Sequence, residues 1–213
     1  MKRILLILMV VLISVSVAGQ EFKDISLNAP DLNKGMTIMK AFEKRASATA
    51  FSPKELSLQD LSDLLWAAAG INRSGSGKRT APSAMNAQDV DIYLFTKEGT
   101  YLYDAKNNLL FARVQGDNRA LVYDTQANFS SAPVFLVMIS DISRFRGNDT
   151  ARNMSWAAMD AGIISQNISL FCAGTGLMTR PRAFMNSEGI KKLLSLTESQ
   201  YPLLNNPVGY PVQ

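Results

Sequence analysis

The stretch NMSWAAMDAGIISQNISLFCAG, residues 153–174, is apolar around almost its whole circumference when wound as a helix. Ala157, Ala161, Ile164, Ile168 and Phe171 lie along one face, and the other side is apolar in places. Such a helix has no face to give to water, so it belongs in a core or in an interface between molecules. Gly174 and Gly176 supply the residues that end it. The rest of the chain must therefore be arranged around this helix, or leave part of it for a partner to cover.

The flanking patterns provide what covers it. Met36, Met39 and Phe42 recur at a helical interval, with Ile38 and Ala41 beside them, predicting a helix over 36–45. Ser57 precedes a second helix over 58–69, whose apolar face is Leu58, Leu61, Leu64, Leu65 and Ala68. Residues 70–88 read as a loop, with Ser83 placed to cap a short helical turn over 84–88. VDIYLFTK alternates as a strand, turns at Glu98-Gly99 and returns as TYLYD. Residues 109–114 are ambiguous, and 118–128 read as a helix or helical loop. APVFLVMIS, 132–140, is apolar on both sides, as a central strand buried on two faces must be. TRPRAF is a loop, Ser187 to Leu196 a helix, and YPLLNNPVGYPVQ a last strand. Helices enclosing a small, mostly antiparallel sheet give an α+β fold, and 213 residues at 47% hydrophobic suffice for one core.

The N-terminus stands apart. Lys2 and Arg3 precede an apolar run from Ile4 to Ile13, and small residues follow through Ala18 and Gly19. This is the plan of a secretory signal peptide, so residues 1–19 are expected to be removed and 20–213 to fold. A retained anchor is the alternative, but the run is short for a bilayer. The expected location is periplasmic or secreted, with no stable membrane insertion after cleavage. Without Lys2 and Arg3 the chain carries twenty basic against eighteen acidic residues. So mild an excess gives no basis for nucleic-acid binding.

Two counts exclude chemistry. Cys172 is the single cysteine, so no disulfide can form within the chain, and its apolar setting reads as a buried small hydrophobe. The chain has no histidine, which removes histidine-dependent nucleophilic catalysis and imidazole metal sites. No catalytic side chain and no metal is expected. An enzyme built from this sequence would have to borrow its chemistry, most simply from an organic cofactor.

Three stretches bear on that. KRASAT offers Arg45, Ser47 and Thr49, a guanidinium and two hydroxyls suited to a phosphate, although Lys44 and Arg45 equally suit a helix C-terminus. RTAPSAMNAQ offers Pro82, Ser83, Asn86 and Gln88, carboxamides among small residues that let a flat ring approach, although an ordinary proline turn reads the same way. GTGLMTRPRAF offers Arg180 and Arg182 behind two glycines, or simply a helix-ending loop with solvated arginines.

In this order the stretches resemble the nitroreductase-like family of FMN-dependent oxidoreductases, most of all its branch related to thiazole- and oxazole-forming dehydrogenases. KRASATAF is similar to that family's Arg-x-Ser-x-basic-x-Phe segment. RTAPSAMNAQDVDIYLF resembles its Pro-Ser-x-x-Asn-x-Gln loop and first strand, MDAGIISQNISLFCAGTGL its central helix, and NNPVGYP its terminal strand. The resemblance spans roughly residues 30–211.

It implies an intertwined homodimer with FMN at the interface. Arg45 would hold the phosphate, with Ser47 and Thr49 near the ribityl chain. Pro82, Ser83 and Asn86 would meet the ring from the partner subunit, with Gln88 close by. Arg182 and Ala183 would lie in the loop over the flavin. A donor such as NAD(P)H would reduce the flavin, which would pass hydride to a nitro compound, quinone or other small acceptor. The family's second basic residue is Thr49 here, and many relatives continue beyond GYP into a tail with another arginine. Both differences lower the positive charge at the phosphate end. A non-enzymatic protein of the same fold, binding another flat ligand or a protein, is the alternative reading.

Overall fold

A computed structural model describes residues 22–212; the expected signal segment lies outside the described residues. In chain order the elements are β1 (Ile25–Ser26), α1 (Ile38–Lys44), α2 (Leu58–Ala69), β2 (Ile71–Arg73), β3 (Lys78–Arg79), β4 (Val90–Phe95), β5 (Gly99–Asp104) and β6 (Leu109–Gln115). They continue with α3 (Ala120–Tyr123), β7 (Val134–Asp141), α4 (Thr150–Thr175), β8 (Met178–Thr179), α5 (Ser187–Leu194) and β9 (Gln200–Gly209).

The apolar run of β7 is buried along its length except at Asp141, because helices cover the sheet on both faces. The main sheet runs β1-β6-β5-β4-β7-β9-β8 and is antiparallel throughout. On one face α2 and α4 pack Leu64, Leu65, Ile164 and Ile168 against Ile92, Leu94, Leu136 and Met138. On the other face α3, α5 and the segment around Phe51 cover Tyr93, Phe95, Phe135, Val137 and Ile139. The alternation along β4 and β7 sends successive side chains into the two cores. This is the expected α+β architecture.

α4 is the predicted central helix, longer by a few residues at its start. The Asp149 carboxylate caps it by accepting from Arg152 N at 3.0 Å. Gly176 ends it with φ of 81°, a left-handed conformation that a side chain would strain. α2 has the predicted bounds, with Ser57 Oγ accepting from Asp60 N at 3.0 Å.

Several local expectations differ. The loop 70–88 contains a small ribbon, β2 paired with β3, which Gly-Ser turns permit but apolar periodicity does not reveal. The ambiguous 109–114 is a full strand, fixed by its position between β1 and β5. The helical loop 118–128 divides into one short helix and a 3-10 turn, Ala127–Phe129. In α1 only Ala41 is buried, while Ile38, Met39 and Phe42 of its apolar stripe are exposed. Leu58, assigned to the buried face of α2, is exposed too.

Candidate functional site

The loop Arg79–Gln88 is held in an unusual backbone conformation. Met85, Asn86 and Gln88 all have positive φ, at 53°, 56° and 48°. Asn adopts such angles readily, whereas Met and Gln do so only when their surroundings force them. Here the surroundings do. The Asp160 carboxylate of α4 accepts from Ala84 N at 2.8 and 3.1 Å. Ser83 Oγ accepts from Gln88 N at 2.9 Å, closing the loop on itself rather than capping the 3-10 turn Ala84–Asn86 that follows it. The Gln88 carboxamide is committed as well, accepting from Arg79 Nε at 2.9 Å and donating to Gly77 O at 3.1 Å. What remains turned outward is Pro82, Met85 and Asn86, all exposed, and among the described residues the Asn86 side-chain carboxamide makes no hydrogen bond. Gln88 thus shapes the loop, and Asn86 is its free polar tip.

Beneath the loop lies a buried acid pair. Asp89 and Asp160 line one small cavity of about 20 Å³ together with Arg79 and Ser83. Asp89 is fully buried; one carboxylate oxygen accepts from the Ser140 hydroxyl and the other has no partner. Burial, aided by the Asp160 charge, pushes the Asp89 carboxyl up to about 7.

At the other end of α4 lies the second component. Arg45, Ser47 and Thr49 are exposed on an extended strip running on from α1. Ala48 between them is buried, and its N donates to Thr179 O at 2.9 Å, which docks the strip beside β8. Alternation then turns Ser47 and Thr49 to the same side. Among the described residues the side chains of Arg45, Ser47 and Thr49 make no hydrogen bond or ion pair.

Of the two arginines of TRPRAF, the structure encloses Arg182, the one expected over the flavin. Arg182 is buried, stacked 4.6 Å from the Phe129 ring, and its guanidinium donates to Gln126 Oε1, Asn205 Oδ1 and the carbonyls of Val122 and Tyr123. It is a structural clamp across β9, and its backbone pairs with Asn205 at 2.8 and 2.7 Å. Among the described residues the half-buried Arg180 side chain makes no hydrogen bond or ion pair, and its guanidinium lies 5.8 Å from the Phe129 ring centre. Ala183 is exposed at the rim. Charge alone cannot separate the two arginines. The neighbouring Asn205, whose carboxamide receives Arg182, is the residue that does.

Within one chain the halves stay apart. Asp160, which anchors the Pro82–Asn86 loop, and Gly174, whose carbonyl accepts from Met36 N ahead of α1, are separated by about four turns, or ~20 Å, of α4. The phosphate-type strip and the ring-type loop therefore do not form a single pocket in one copy.

Comparison with known proteins fits this geometry. The model of the Nitroreductase family matches residues 23–210. A crystal structure of a nitroreductase homologue from Ralstonia eutropha JMP134 superposes with a TM-score of 0.84 at 32% identity, covering 92% of each chain. A nitroreductase homologue of Methanocaldococcus jannaschii is 29% identical over 180 residues, 80% of this chain and 89% of that one. A chain of the E. coli microcin synthetase complex shares the fold, with a TM-score of 0.69 at 20% identity over 80% of this chain and 70% of that one. With the family model spanning nearly every described residue, the chain belongs to the Nitroreductase family.

Proposed function

We propose that the chain is an exported FMN-dependent oxidoreductase that works as a homodimer. The carrying observation is the pairing of two prepared but separated surfaces. One is a strip with an unpaired guanidinium and two free hydroxyls, Arg45, Ser47 and Thr49. The other is a strained, pinned loop with a free carboxamide tip, Asn86. Since α4 holds them ~20 Å apart, a second copy is the simplest way to bring them together. The exposed apolar side chains of α1 (Ile38, Met39, Phe42) and α4 (Met159, Ile163) support such an interface.

The donor set fits FMN. Arg45 offers a bidentate fork to a phosphate, and Ser47 and Thr49 offer hydroxyls to the phosphate or the ribityl chain. Arg180, free and nearby in TRPRAF, takes the place expected of Arg182. Asn86 carries both a donor and an acceptor for a ring edge, and Pro82 and Ser83 present a low surface beside it. Asp160 and Gln88 hold that loop in position. When bound, FMN would supply electron and hydride transfer between a donor and a small acceptor such as a nitro compound or quinone. NAD(P)H is the family's usual donor; a periplasmic or secreted protein would need another source.

The test is the visible absorption spectrum of the purified protein after incubation with FMN and dialysis. One retained flavin per subunit, in a particle of dimer size, supports the reading. No retention with excess FMN would overturn it, and would favour the non-enzymatic alternative that Thr49, in place of a basic residue, makes the second choice.

A further inference from the structure

A cavity of about 770 Å³ opens between the N-terminal arm, the turn before α2 and the β4–β5 hairpin. It falls inside the range of about 300–1,000 Å³ typical of small-molecule sites. None of Arg45, Ser47, Thr49, Pro82, Ser83 or Asn86 lines it, so it is separate from the surfaces assigned to the flavin.

Its floor is apolar and fixed. Leu94, Tyr101, Leu61 and Val134 are buried members of the α2/α4 core and form its floor. Phe22 and Leu56, both partly buried, close opposite sides. The arm bearing Phe22 is pinned rather than loosely laid. The Asp24 carboxylate accepts from Ala112 N at 2.8 Å, β1 pairs with β6, and the Phe22 ring tilts against Tyr101 at 4.9 Å between centroids. Gly99 makes room for it, because a Cβ there would overlap the Phe22 ring. A preformed apolar pocket keeps its shape without a ligand, which lowers the ordering cost of binding one.

The charges at the mouth decide the ligand class. Lys23, Lys97 and Arg119 are matched there by Asp24, Glu55 and Glu98. Arg119 is already committed, donating to both Asp117 carboxylate oxygens and to Ala132 O. With Arg119 engaged by Asp117, the mouth holds no positive excess to draw in an anion, and the apolar floor would penalise any ion that entered. Gln115 at the mouth has a carboxamide free to make a neutral hydrogen bond.

We infer that this cavity is a second small-molecule site that takes an uncharged, largely apolar molecule with one hydrogen-bonding end. It stands independently of the flavin reading, since neither its walls nor its mouth involve the flavin-facing residues.

Nile red, a neutral apolar dye, tests this against an anionic naphthalene sulfonate dye. The expected result is saturable, blue-shifted binding of Nile red, one per chain, with the anionic dye binding at least about tenfold more weakly. Leu56→Trp, which fills one side, and Gln115→Trp, which obstructs the mouth, should each weaken Nile red binding by about tenfold or more while circular dichroism stays unchanged. Either variant suffices if the other folds poorly. Non-saturable binding, preference for the anionic dye, or unchanged affinity in a folded filling variant would overturn the assignment. Failure of FMN retention leaves the result readable, because the dye site does not depend on the flavin.

Discussion

Replacing Asp89 by Asn should stabilise the protein, and more so as the pH rises. Asp89 is fully buried, with one oxygen on the Ser140 hydroxyl, the other unpartnered, and Asp160 beside it. Burial first, then the Asp160 charge, lifts its carboxyl from an ordinary 3.8 to about 7. Between these two values the unfolded chain has lost this proton while the native protein keeps it. Native stability therefore falls as the pH climbs through that window, and the full penalty is present above it. At about 1.4 kcal/mol per pH unit, a gap of roughly three units gives an upper figure of about 4 kcal/mol. Asn keeps the shape, can accept from Ser140, and can donate toward Asp160. Allowing for relaxation around the ionised native site, Asp89→Asn should gain about 2–4 kcal/mol near pH 8 and well under 1 kcal/mol near pH 4. For a chain of this size each kcal/mol moves Tm by about 2–4 °C, so thermal unfolding followed by circular dichroism at the two pH values resolves the difference. A gain no larger near pH 8 than near pH 4, or a loss near pH 8, would refute the assignment of a buried proton to this pair.

Arg45→Ala should weaken FMN retention by about ten- to a hundredfold, the worth of a charge-assisted phosphate contact, and leave Tm nearly unchanged because the side chain is exposed; equilibrium dialysis checks it. Arg182→Ala should do the reverse, destabilising by about 3 kcal/mol in urea unfolding as the carbonyls of Val122 and Tyr123 and the Asn205 carboxamide lose their donor. Gly99→Ala should destabilise by about 1–3 kcal/mol, since its Cβ would meet the Phe22 ring and lie 2.7 Å from Val114 O, and limited proteolysis should reveal a loosened N-terminal arm. Cys172 should resist a thiol reagent in the native protein and react fully in denaturant, because it is buried in the α4 core and burial pushes its thiol far above the usual range.

The elements legible in the sequence are those whose pattern is local. The two-sided apolar run of β7 and the helical stripe and Ser57 cap of α2 each report their structure within a few residues, whereas the β4–β5 turn falls at Lys97-Glu98, one residue before the expected Glu98-Gly99, and Gly99 already belongs to β5. KRASAT and RTAPSAMNAQ are conspicuous in the sequence because they combine residue types that suit a phosphate or a ring edge, and the structure adds that Arg45 and Asn86 are exposed. Less legible were the segments defined by their partners. β6 is a strand because β1 and β5 flank it, and the ribbon β2–β3 exists because its two short segments find each other. The apolar stripe of α1 reads as core in the sequence but is exposed in the chain alone, since periodicity says that a face is apolar and not what covers it.

The sequence by itself determined that residues 153–174 form one long helix within an α+β framework, and that histidine chemistry is not open to this chain. Tertiary structure alone decided the fate of each candidate polar group. Arg180 and Arg182 are chemically the same and two residues apart, yet one is free and the other is enclosed by carbonyls from α3 and a carboxamide from β9. Gln88 and Asn86 are both carboxamides of one loop, yet only Asn86 is free, because Arg79 and Gly77 engage Gln88. Asp89 and Asp160 are far apart in sequence and meet only because β4 and α4 pack together. A side chain's chemistry is local, but its availability depends on long-range partners, and those exist only once the chain has folded.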